Sequence, residues 1–414
     1  MKKNPLFAVL LFAAFTAASC GRPAEKVPPP KLTPMEELGK KLFFDKNLST
    51  PPGQDCAACH GPLVGMTGPL ENNNAPGGVY EGAVRGRFGN RKPPAAAYAG
   101  DSPVLQHTED GQFIGGMFWD GRASGFLLGD PLAEQAMGPF LNPLEQNMPD
   151  KKTIILRVKA SDYAGSFESV WGVGSLDTDK DVDRAYEWIA RSIAAYERSA
   201  EVNPFDSRFD DFWRKAGSAN LNVETISEAN MSSFSAMGLN DNELRGLVLF
   251  NTKGLCAKCH VLASVAGKPP VFTDYSYDNL GIPRNPDNPF YKMPPEFNPD
   301  GERWIDPGLG GFLEESDPLR DHAATNFGKH KTPTLRNIDL RPKPGFQKAF
   351  MHNGYFKSLE DIVRFYNTRD LLEAKWPAPE IAVNLNTTEI GNLGLTSGEE
   401  AAIVAFMKTL SDRF

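Results

Sequence analysis

Apolar residues recur at three- and four-residue spacing in several stretches of this 414-residue chain, and alternating apolar and polar runs are scarce. The first helical stretch follows Thr33, where Pro34 suits the opening position and Glu36 completes a capping pattern. Leu38, Leu42 and Phe43 then fall on one face. Asn240 and Glu243 repeat the capping pattern ahead of Leu244, Leu247 and Val248. Residues 181–198 predict a longer helix with Ala185, Ile189, Ile193 and Ala194 on one side. A last helix, capped by Thr396 and Glu399, carries Ile403, Phe406, Met407 and Leu410 as its stripe. The class is therefore mainly α. Residues 37–43, Glu-Leu-Gly-Lys-Lys-Leu-Phe, also echo residues 243–250, Glu-Leu-Arg-Gly-Leu-Val-Leu-Phe. Self-similarity at a period of about 200 residues marks an internal duplication, hence two related domains.

The same period separates two copies of Cys-x-x-Cys-His, Cys56-Ala57-Ala58-Cys59-His60 and Cys256-Ala257-Lys258-Cys259-His260. This is the attachment pattern of c-type haem: two thiolates close thioethers to the porphyrin, and the adjacent imidazole ligates the iron. The competing reading is zinc, since four Cys and two His suffice for tetrahedral positions. A histidine directly after the second cysteine, twice over, in a chain that looks exported favours haem. The expectation is two covalent haems, with His60 and His260 as proximal ligands.

The apparent export rests on Lys2 and Lys3, the apolar run 6–18 and the small residues before Cys20. The run is too short for a membrane span. Ala17-Ala18-Ser19-Cys20 resembles a lipoprotein cleavage box, which would leave Cys20 acylated and the chain anchored in the periplasm by lipid alone. Residues 1–19 are thus the leader and 20–31, with Pro28-Pro29-Pro30, a tether. Four of five cysteines serve the haem motifs and the fifth is Cys20, so none remains for a disulfide. Glycine (38) and proline (34) make up about one residue in six, which predicts long ordered loops, among them 268–331. A net charge of −8 without a Lys/Arg run argues against nucleic acid.

In sequence order, the chain resembles the bacterial di-haem cytochrome c peroxidase and MauG family. The resemblance is carried by residues 38–45 before the first haem motif, Phe118-Trp119-Asp120-Gly121-Arg122, Gln135-Ala136-Met137-Gly138-Pro139, and Asn142-Pro143-Leu144-Glu145. Lys331-Thr332-Pro333-Thr334-Leu335-Arg336-Asn337 and His352-Asn353-Gly354 continue it. It implies two cytochrome-c-like haem domains, 32–215 and 216–414, the first reacting with hydrogen peroxide and the second passing electrons to it. Glu145 matches the family's distal acid-base residue, with Gln135 and Pro139 completing that pocket. Trp119 matches the tryptophan between the haems, although six extra residues in the region 124–131 separate it from Gln135. Many relatives carry a removable distal histidine soon after the first motif; residues 61–106 contain none, so the first haem is expected to be open at rest. His107 is the one rescue candidate, in a hydrophilic loop.

Fourteen residues beyond His352 the family places the sixth ligand of the second haem, methionine in many peroxidases and tyrosine in MauG-type members. Tyr366 stands there, with Met351 and Met293 as alternatives. A phenolate stabilises ferric iron and lowers the potential, whereas a thioether raises it. The resemblance further implies a calcium ion between the domains, held by an Asn side chain, best matched by Asn90, and by carbonyls within 341–349. Partners it implies are hydrogen peroxide and a small redox donor, a cytochrome c or cupredoxin, or else a protein substrate whose side chains are oxidised. A homodimer is compatible with it. A non-enzymatic electron carrier or redox sensor is the remaining class, which Gln135 and Glu145 at family spacing argue against.

Overall fold

The computed structural model describes residues 31–413, so the leader and Cys20 lie outside the described residues. The capped helices form where the pattern predicts them. Thr33 and Glu36 cap helix Pro34–Phe43 reciprocally, and Asn240 and Glu243 do the same for helix Asp241–Asn251. Asp181 caps helix Val182–Glu197, and Thr396 with Glu399 caps helix Ser397–Met407. Each cap satisfies N–H groups that have no partner within the helix.

These four helices make two crossed pairs. Helix Pro34–Phe43 lies along Val182–Glu197, and Asp241–Asn251 along Ser397–Met407. A glycine sits at each crossing. A Cβ on Gly39 would stand 1.8 Å from the Ser192 carbonyl oxygen, and one on Gly246 would stand 1.9 Å from that of Ala402. The echo in the sequence thus encodes one backbone contact built twice.

Two large hydrophobic clusters grow from these pairs. The first gathers Leu38, Leu42, Phe43, Phe140, Ile154, Tyr186 and Ile189, with Cys56 and Ala57 packed against it. The second gathers Phe209, Phe212, Leu247, Phe250, Phe272 and Phe406, with Cys256 and Ala257 against it. Helix Arg208–Ser218, across which the expected boundary at 215 falls, packs in the second cluster. Arg336 ties it there. Its buried guanidinium meets Asp210 at 2.8 Å and donates to the Pro270 carbonyl at 2.8 Å. Removing one partner of such a buried pair costs about 3–5 kcal/mol.

Among the described residues, strand is confined to two short antiparallel ribbons, Gln106–His107 with Phe113–Ile114 and Tyr277–Asp278 with His330–Lys331. The stretch 268–331 otherwise holds the 3-10 turns Pro289–Lys292 and Gly301–Arg303, the helix Gly308–Glu314 and the 3-10 turn Arg320–His322. No helix among the described residues is long and apolar enough to cross a membrane.

Because both crossings are backbone-to-backbone, Gly39→Val and Gly246→Val are each expected to cost at least about 1–3 kcal/mol by overpacking. The control is Gly165→Ala in helix Ala164–Trp171, where nothing lies within 4 Å of an added Cβ. Thermal melts should show both valine variants well below the control; equal melting temperatures would refute the crossing.

Candidate functional site

Each Cys-x-x-Cys-His begins in a single 3-10 turn, Cys56–Ala58 or Cys256–Lys258. In the first, Asp55 accepts the Ala58 N–H at 2.9 Å, and the Cys56 carbonyl takes the His60 N–H at 2.9 Å. In the second, the Cys256 carbonyl takes the His260 N–H at 2.9 Å, after Leu255 turns the chain at a φ of 53°. Each turn sets both cysteines and the histidine on the wall of one cavity. The first cavity holds about 1000 Å³ and the second about 1680 Å³, open mouths included.

Both cavities fit a covalently held haem. The four cysteines are free of disulfides. His60 Nδ1 is fixed on the Met66 carbonyl at 3.1 Å and His260 Nδ1 on that of Phe272 at 2.9 Å. Holding one ring nitrogen on a carbonyl orients a metal-ligating imidazole and leaves Nε2 for the iron. Burial pulls His60 down to about 4 and lowers His260 too, favouring the neutral form that ligates. The two cysteine pairs line different cavities, so they do not combine around one zinc.

Glu145 and Gln135 meet on the first cavity with His60. Helix Pro131–Leu141, capped by Asp130, places Gln135 on the wall. The turn after it is closed by the Glu145 N–H on the Asn142 carbonyl at 3.0 Å and brings Glu145 round. Burial raises the Glu145 carboxyl above its ordinary range, and the Arg122 charge and an Asn142 hydrogen bond oppose this. Arg122 is a residue to which sequence reasoning assigned no role, although it closes the Trp-Asp-Gly-Arg stretch. It donates to both Asp120 oxygens, at 3.0 and 2.8 Å, and stacks 3.8 Å over the Phe118 ring. Glu197 also lines this cavity, pushed up to about 8 mainly by burial.

Trp119 lines both cavities. Its indole N–H donates to the Lys92 carbonyl at 2.7 Å, and its own carbonyl accepts the Lys331 N–H at 2.9 Å. The ring meets His352 edge-on at 6.4 Å. The extra residues fall in the region 124–131, between Trp119 and Gln135. They form a loop whose Gly125, Leu127 and Leu128 N–H groups all end on the Glu134 carboxylate, each at 2.7 Å. Beneath Trp119, Arg91 grips Asp306 through two nitrogens, at 2.7 and 2.6 Å, and also meets Asp120. Burial works against the Asp306 charge, yet Arg91 holds that carboxyl well below the usual range.

Tyr366, on helix Leu359–Thr368, lines the second cavity with Cys256, Cys259 and His260. Met351 lines it as well. Met293 is elsewhere, its sulfur accepting the Phe88 N–H at 3.4 Å. His330 and His352 stack at 3.6 Å on the same wall beside Asp306. His107 sits on an exposed ribbon with its ring 4.2 Å from that of His322, and it lines neither cavity. Asn90 lines the first cavity, and its carbonyl accepts from Asn288 Nδ2 at 2.9 Å.

Comparison with known proteins gives the family. The family model for di-haem cytochrome c peroxidase matches residues 33–218. The methylamine utilization protein MauG of Paracoccus denitrificans is 32% identical, over 98% of this chain and 94% of its own. The cytochrome c551 peroxidase of Nitrosomonas europaea is 27% identical over 98% and 90%. Among solved structures, the diheme peroxidase BthA of Burkholderia thailandensis superposes with a TM-score of 0.71 at 28% identity, covering 92% of this chain and 87% of that one. The chain belongs to the di-haem cytochrome c peroxidase and MauG family, an oxidoreductase acting on peroxide with two c-type haems.

Proposed function

We propose that this chain reduces hydrogen peroxide to water at the His60 haem with electrons relayed through the His260 haem. The observation that carries the reading is the meeting of Glu145, Gln135 and Arg122 with Cys56, Cys59 and His60 on one cavity, which shares Trp119 with the other. The haems supply redox centres; the chain supplies proton handling, polarity and the connection between them. Hydrogen peroxide takes up two electrons and two protons and leaves as two waters. Glu145 takes a proton from one peroxide oxygen and returns it to the other, a task for which a raised carboxyl suits. Gln135 hydrogen-bonds the bound peroxide without competing for iron. Arg122, a cation at the same wall, steadies charge that develops there. With no histidine in 61–106 and His107 lying away from this cavity, no histidine of that segment would close the first haem at rest.

The division into two haem domains, the periplasmic address and the lipid on Cys20 belong to the same proposal. The donor is a small redox protein, a cytochrome c or cupredoxin, and a homodimer is compatible with it. A second reading, peroxide-driven oxidation of a partner protein's side chains, is favoured by one observation: Tyr366 lines the second cavity together with Cys256, Cys259 and His260. As sixth ligand there, Tyr366 would hold the second haem ferric and make it a poor acceptor of ordinary cytochrome electrons. Met351 is the alternative ligand within that cavity.

Glu145→Gln should abolish peroxide turnover at unchanged haem content, and retained turnover would remove Glu145 from the mechanism. In the parent protein the base form of Glu145 is needed. The rate is therefore expected to fall as pH drops through a value above the ordinary glutamate range of about 4.3. Arg122→Leu removes a charge that lowers that value, so the acid limb of kcat/KM should move to higher pH. An unmoved limb would disconnect Arg122 from Glu145.

A further inference from the structure

The inter-domain calcium that the family implies does not fit the residues present. Two lysine side chains occupy the seam between the two halves. Lys348 is 4% exposed, and its ammonium donates to the carbonyls of Val64 (3.0 Å), Asn337 (3.2 Å) and Leu340 (3.0 Å). Val64 comes from the turn just after the first haem motif, and the other two precede Lys348 in the second half. Three carbonyl acceptors require three hydrogens, which only the charged ammonium carries. Lys92 is 9% exposed and donates to Thr67 Oγ1 at 2.8 Å and the Pro93 carbonyl at 3.0 Å. Its own carbonyl holds Trp119, and its N–H donates to the His352 carbonyl at 2.7 Å. At the rim of the seam, Lys357 repeats the arrangement on the carbonyls of Asn74 and Pro76 (both 2.7 Å) and Gly354 (2.6 Å).

We infer that the ammonium groups of Lys348 and Lys92 stand in for a divalent cation at this seam, and that the protein holds its halves together without calcium. The stretch 341–349, expected to lend carbonyls to an ion, instead sends the Lys348 ammonium into the seam, onto carbonyls of residues 64, 337 and 340. Calcium takes six to eight oxygens at about 2.3–2.6 Å. Here the oxygens stand at hydrogen-bond distance from nitrogen and are already taken by Lys348 and Lys92 side chains, although burial pulls Lys92 down to about 7. A metal ion placed among them would find these oxygens engaged rather than free as ligands. Burial, and then the Lys92 charge, pull Lys348 well below the ordinary lysine range, with Asp339 opposing. Its three carbonyl acceptors favour the charged form. Asp339 itself is engaged by Arg341 at 2.8 Å.

The test uses the intact holoprotein. After exposure to millimolar calcium and dialysis, elemental analysis is expected to find two irons per chain and no stoichiometric calcium. Melting temperature and peroxide turnover should match in chelator and in calcium. One calcium per chain surviving dialysis, or a chelator-induced loss restored by calcium, would overturn the inference. Lys348→Met, which keeps the stem and removes the charge, should melt several degrees lower irrespective of chelator. An unchanged melt would overturn the role of the ammonium. Should that variant yield no folded protein, the calcium content of the parent protein still decides.

Discussion

The proposed relay depends on one side chain being held in a wall common to two cavities. Trp119 is fixed at both polar ends, by the Lys92 carbonyl on its indole and by the Lys331 N–H on its backbone. Neither contact is local in sequence. One reaches back 27 residues within the first half, and the other reaches forward into the second. Arg91 gives the wall its rigidity, because its fork spans Asp120, next to Trp119, and Asp306, far along the chain. A planar guanidinium gripping carboxylates in a desolvated place is geometrically specific in a way that a lysine is not.

Around that wall the fold repeats itself economically. In each half a capped helix crosses a partner at a glycine, and the haem-binding turn follows on the crossing's apolar flank. What differs between halves is chemistry. The first cavity is dressed with Gln135, Glu145, Arg122 and Glu197, and the second with Tyr366, Met351 and the stacked pair His330 and His352. Duplication supplies two similar cradles; the side chains that later helices and turns bring to each set its chemistry.

The helices were legible because their signals are local. Thr33, Asn240, Asp181 and Thr396 each announce a helix within four residues, and the stripes they introduce are buried as the spacing implies. The haem motifs were equally plain, being five residues long. The meeting of Glu145 and Gln135 beside His60 was not readable from spacing; it came from resemblance, since a turn at 142–147 and the backbone of Ala83 set it. Arg122 went unassigned because its partners, Phe118 and Asp120, look like ordinary neighbours until the turn at Gly121 folds them together. Least legible were the buried charges. Arg336 with Asp210 and Lys348 with Val64 join residues more than a hundred positions apart, and an isolated lysine in a sequence reads as surface.

The claim on which the account turns is that two covalent haems flank Trp119 and that only the first has a free coordination position. Electron paramagnetic resonance of the ferric holoprotein addresses it most directly. One high-spin signal from the His60 haem alongside one low-spin signal from the His260 haem is the predicted spectrum. Two low-spin signals, or iron for only one haem per chain, would contradict it.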